Sequence, residues 1–125
     1  MVKNGADRTV FLIYKENNME QIINILGTEY VARTDDDACM EMNADGLCKF
    51  YDKQIVVRSL EKMLGTDDSE DIKRIRMQEV VRHEIIHAFF TESGLDCYSD
   101  NEQLVSWIAV QFPKMLKVFR ETNSI

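Results

Sequence analysis

The sequence predicts an α+β domain: a small antiparallel or mixed sheet in the N-terminal half, then a long helix, then a C-terminal helix folded back on it. Three observations carry this. Short β-rich apolar runs, Thr9–Tyr14, Leu47–Tyr51 and Ile55–Arg58, fall in the first half. From Ser69 onward apolar residues recur at three- and four-residue spacing. A chain of 125 residues, 45% apolar, suits one core, so residues 1–125 form a single domain.

Thr9–Tyr14 reads as a strand and the polar residues after it as a turn. Met19–Leu26 fits two templates. Met19, Ile22, Ile23 and Leu26 match a helical period, with Asn18 as cap and Gly27 as stop. Ile22–Leu26, Gly27–Thr28 and Glu29–Arg33 also read as two strands around a turn, and this is the slightly better fit. The acidic stretch from Asp35–Asp36–Asp37 to Asp45 reads as a solvated loop, without the alternating acids and central glycine of a calcium site. Leu47–Tyr51 and Ile55–Arg58 flank a short polar turn and form a hairpin, and Ser59–Leu64 is a short helix ending at Gly65.

Thr66 to Asp71 is rich in capping residues and acids, which suit the free N–H groups and positive end of a helix. One long helix therefore runs from about Ser69 to Phe90. It is wet in its first half, where Ile72 and Ile75 begin an apolar stripe, and buried in its second, with Gly94 as its stop. The last helix starts near Ser99–Glu102. Its inner side carries Leu104, Val105, Ile108, Ala109, Phe112, Met115, Leu116 and Phe119, Trp107 is expected to pack, and Pro113 breaks or kinks it.

The net charge of −7, without a basic run, argues against nucleic-acid and anionic-membrane partners. Three widely spaced cysteines, Cys39, Cys48 and Cys97, form neither a disulfide framework nor a CxxC knuckle. They read as reduced thiols, which places the protein in the cytoplasm. No apolar run reaches membrane-spanning length, and the polar start lacks a signal-peptide core.

The long helix contains His83-Glu84-Ile85-Ile86-His87, an H-E-x-x-H pattern holding both histidines of the chain. Four helical positions apart, the imidazoles stand roughly 40° apart around the axis, with Cβ atoms about 5–6 Å apart. They can share one Zn²⁺ at Zn–N distances of about 2.0–2.1 Å. Glu84, about 100° round, is placed to take a proton from a water rather than to ligate. Without a metal, two buried imidazoles would lack partners.

A catalytic zinc has three protein ligands and an open position. A third histidine does not exist here, so zinc hydrolases with three histidine ligands are excluded. The candidates are Glu92, Asp96, Cys97, Asp100 and Glu102. Glu102 leads, because it heads the apolar seam 102, 105, 109, 112, 116, and a carboxylate aimed into a core requires a cation or several donors. Ser99-x-x-Glu102 is also a capping-box pattern, in which Glu102 would only bond back to the Ser99 backbone.

His83-Glu84-Ile85-Ile86-His87 followed by Asn101–Glu102 resembles the glutamate zincins (gluzincins), nearest to their minimal single-domain forms and to small H-E-I-I-H proteins of bacteria and their phages. Gly46-Leu47-Cys48 and Ile55–Val57 are similar to the strands before the motif in that group. The likeness covers about residues 46 to 113. Ser106 stands where larger members carry an aspartate that supports a ligand histidine. The resemblance implies a zincin-like fold, with a long active-site helix and a glutamate helix, and zinc-dependent peptide hydrolysis. In that expectation His83, His87 and Glu102 hold zinc, and Glu84 is the general base acting on a peptide or protein substrate. The strand Ile55–Arg58 lies at the sheet edge and aligns the peptide. Tyr98 is a candidate oxyanion donor, and Cys48 or Cys97 a possible inhibitory zinc ligand. The alternative is a zinc-stabilised zincin-fold binding or regulatory protein without turnover.

Overall fold

A computed structural model describes residues 19–63 and 69–125. The strand expected over Thr9–Tyr14, the turn after it, and the stretch from Leu64 to Asp68 lie outside the described residues. The described chain is α+β, as expected: a four-stranded mixed sheet and two long helices.

β1 (Glu20–Ile25) and β2 (Thr28–Thr34) pair antiparallel around Leu26–Gly27. Both turn residues have positive φ, 53° and 92°, as a two-residue hairpin loop of matching twist requires. The strand alternative for Met19–Leu26 is the one adopted. Ile23 and Ile25 turn inward, whereas Ile22 and Leu26, inward in a helix, are exposed.

The acidic stretch is not the solvated loop expected. It holds α1 (Asp36–Glu41), and Asp35, Asp36 and Asp45 are engaged. Asp35 caps the helix, accepting from the Ala38 N–H at 3.1 Å. Asp36 accepts from the Ser59 N–H at 2.7 Å and from its hydroxyl at 2.9 Å. β3 (Gly46–Lys49) and β4 (Gln54–Val57) then form the expected antiparallel hairpin, and β4 pairs parallel with β2. The order is β1-β2-β4-β3. Ile55–Val57 is therefore an inner strand, fully buried, and among the described strands the expected edge position belongs to β3 instead. A run of three consecutive buried β-branched residues is what an inner strand calls for. Leu60–Lys62 makes a single 3₁₀ turn.

α2 (Glu70–Glu92) starts at Ser69, whose hydroxyl accepts from the Ile72 N–H. Met77, Val81, Glu84, His87 and Ala88 form its buried stripe. The apolar members pack on Ile25, Tyr30, Ala32, Ile55, Val57 and Leu60. Ile72 and Ile75 are exposed rather than opening that stripe, and Phe89 is partly exposed. At the far end Glu92 latches the helix to the sheet. It accepts from Tyr30 Oη (2.7 Å), Lys53 Nζ (2.8 Å) and Thr28 Oγ1 (3.0 Å). Gly94 (φ 76°) turns the chain into α3 (Asp96–Ser99).

α4 (Glu102–Glu121) is capped by Asn101, which accepts from the Leu104 N–H at 3.0 Å. The capping box does not form. α4 also runs through Pro113, so of the break or kink expected there the break does not occur. The proline has no N–H for the carbonyl four residues back, at Ala109. Arg82 of α2 supplies the missing donor, Nε to Ala109 O at 2.7 Å. Trp107 is 55% exposed, not packed. Its neighbours Val105 and Ala109 take the inward positions. Among the described residues no helix is long and apolar enough to cross a membrane.

Two outcomes follow from these contacts. Arg82→Ala leaves the Ala109 carbonyl without a donor and should cost about 1–3 kcal/mol. In a Pro113→Ala background, where the helix regains its own bond, the cost should shrink. Urea unfolding of the four proteins checks it, and strict additivity would contradict it. Glu92 is held down at about 2, first by Lys53 and then by Tyr30. A depressed carboxylate contributes stability that is complete above its ordinary value of 4.5 and is lost as pH falls towards 2. Glu92→Gln should therefore be less stable near neutrality, with a flatter acid limb in thermal unfolding; parallel limbs would assign the acid sensitivity elsewhere.

Candidate metal centre

Helical spacing alone puts both imidazoles on one face of α2. Their ring centroids are 4.9 Å apart with planes at 66°, and their Nε2 atoms are 3.2 Å apart. Asn101 ends the α3–α4 turn and makes Glu102 the first residue of α4. From there the carboxylate spans both rings, Oε1 2.9 Å from His83 Nε2 and Oε2 3.0 Å from His87 Nε2. Among the described residues these three side chains are the group whose donor atoms converge, all within 4.8 Å.

The donor set fits a tetrahedral ion. Donors about 2.0–2.1 Å from a common centre stand roughly 3.3 Å apart, close to the separations here. Two ring nitrogens and a carboxylate this close also repel unless a cation or protons lie between them. Burial, and then His87, lower the pKa of His83, while the bond to Glu102 acts the other way. The net effect favours the neutral ring, whose nitrogen lone pair is a metal donor.

The remaining sequence candidates are not in this group. Glu92 is taken by the sheet latch. Cys97 is exposed, and Tyr98, half-exposed against Phe90, is not on the cavity wall. Asp100 lines the cavity, and Asp96 a neighbouring one. Cys48 also lines the cavity, but burial, followed by the charge of Glu84, pushes its thiol up to about 12, so it is a neutral wall.

Glu84 is 7% exposed and has no hydrogen-bond partner among the described residues. Burial first, and then Glu102, push its carboxyl up to about 8. It faces a cavity of about 430 Å³ bounded by β3, His83, His87 and Glu102. A divalent ion held by the three donors would oppose that shift. β3 lies close above it. A Cβ on Gly46 would stand 2.7 Å from Val80 Cγ1 and 3.0 Å from both Cγ and Oε2 of Glu84. Only glycine lets the strand come this near.

The remote nitrogens of both histidines meet hydroxyls, a feature the sequence reading did not find. His83 Nδ1 is 3.5 Å from Ser106 Oγ. His87 Nδ1 is 3.4 Å from Ser99 Oγ. Ser99 looked like a helix cap, and no spacing rule links it to His87.

Gly46→Ala should push Glu84 and Val80 aside. We expect about 1–3 kcal/mol of destabilisation from overpacking, with His83, His87 and Glu102 left in place. Metal content should persist while any Glu84-dependent chemistry falls. Unchanged stability and unchanged activity would show that the strand stands further off.

No family model, curated protein or solved structure matches this chain. What identifies the site is thus its own geometry, two imidazoles and one carboxylate converging beside a buried acid.

Proposed function

We propose that this chain is a zinc-dependent peptidase. The observation that carries the reading is the pairing of a three-donor group with Glu84. His83, His87 and Glu102 leave a position free for water or substrate, and the base stands beside it. When bound, zinc supplies Lewis acidity, making a water more acidic and a carbonyl more electrophilic. The protein does the rest. Glu84 accepts the proton of the attacking water and returns it to the departing amine. Its buried setting keeps its proton affinity high enough for that exchange.

An extended peptide would lie along β3, whose residues Gly46, Leu47 and Cys48 line the same cavity. Main-chain bonds from a sheet edge hold a substrate largely irrespective of its side chains. This replaces the role first given to Ile55–Arg58. The zinc-stabilised binding protein is the second reading. A closed site with a fourth protein donor would favour it, and among the described residues the converging group has three.

The test is metal analysis together with peptide-library cleavage read by mass spectrometry. Wild type should carry one zinc per chain. His83→Ala, His87→Ala and Glu102→Ala should each lose it. Glu84→Gln should keep the zinc and lose cleavage by at least about 10²-fold. A zinc-free wild type, or normal turnover in Glu84→Gln, would refute the proposal.

A further inference from the structure

We infer that Ser99 is a positioning residue for the metal centre: with Thr91 it fixes His87 as the Nδ1–H tautomer and so aims the Nε2 lone pair at the metal. The inference rests on the metal-centre reading above but is argued from different atoms.

Ser99 is 2% exposed, at the end of α3, packed under the ligand histidine. Three groups converge on its Oγ. Thr91 Oγ1 donates to it at 3.0 Å. It donates in turn to the backbone carbonyl of His87 at 3.1 Å. His87 Nδ1 stands 3.4 Å away. A hydroxyl has one proton and two lone pairs. The proton goes to the carbonyl, and one lone pair takes the Thr91 hydroxyl. The remaining lone pair faces His87 Nδ1. A bare Nδ1 would oppose it lone pair to lone pair, inside the protein and away from water. A protonated Nδ1 completes the count. Nδ1 therefore carries the proton, and Nε2, turned to Glu102 and His83, is left to bind a cation.

The arrangement binds the ligand twice, through its ring and through its own main-chain carbonyl. Thr91 lies four residues after His87, one turn along α2, and Ser99 arrives from the next element. The same hydroxyl that ties α3 to α2 thus orients the ring. The counterpart on His83, Ser106, is exposed and 3.5 Å away, so His87 is the more firmly oriented of the two. Partners of this kind typically matter 10- to 100-fold in metal affinity.

The experiment uses the full chain with ¹⁵N-labelled histidine, free of metal and loaded with zinc, alongside chelator competition for zinc affinity. In wild type, His87 Nδ1 should bear the proton in both states. Ser99→Ala should weaken zinc binding 10- to 100-fold and change the absorption bands of the cobalt-substituted protein. Ser99→Thr, which keeps the hydroxyl, should restore most of the affinity. Proton-free Nδ1 in wild type overturns the inference, and so does equal zinc affinity in Ser99→Ala. Failure of Ser99→Ala to fold leaves the wild-type nitrogen spectrum to decide. If wild type takes up no zinc, the peptidase reading fails while the metal-free spectrum still judges Ser99.

Discussion

Three electron-rich groups are held close together on the wall of one cavity, and most of the rest of the structure serves to keep them there. His83 Nε2, His87 Nε2 and the Glu102 carboxylate meet within 3.2 Å, a cluster that repels itself unless a cation or shared protons lie between its members. One helix supplies two of them at a spacing the α-helix dictates. The third comes from the first residue of α4, where a single capping amide decides which residue leads the helix. Helix α2 is in turn immobilised by its buried stripe against the sheet and by the three bonds to Glu92 at its end.

The sheet contributes a different constraint. Gly46 lets β3 lie against Val80 and Glu84. Cys48, two residues on, presents an uncharged thiol to the cavity. The carboxylate of Glu84 is thereby largely buried, with no hydrogen-bond donor among the described residues, while remaining open to the cavity. An isolated acid in that setting is costly to the fold, and it is the kind of cost that functional sites carry.

Much of this was legible in the sequence because it follows from spacing. His83, Glu84 and His87 are placed by helical periodicity alone; Glu102 is legible from a seam leading into a core, yet its side chain is 68% exposed where it meets the histidines. The long helix and the β3–β4 hairpin follow from apolar patterning and turn residues. What escaped depends on partners distant in the chain. Asp35 and Asp36 look solvated until Ser59 and the start of α1 use them. Ile55–Val57 looks like any short apolar run, and only its pairing on both sides makes it internal. Trp107 was expected inside because it is large and apolar, yet Val105 and Ala109 hold the inward positions. Ser99 carries a local signature for one role and performs another, since the ring it meets is twelve residues away.

The bond from Arg82 to the Ala109 carbonyl has a consequence for alignment. The arginine immediately precedes the first histidine of the centre, and the carbonyl it reaches exists as a free acceptor only because of Pro113. Sliding α4 by one helical turn would carry Glu102 about 5.4 Å from the imidazoles and uncouple that bond at the same moment. A gap in the ladder of one helix thus acts as an indexing pin, marking the single offset at which acid and histidines coincide.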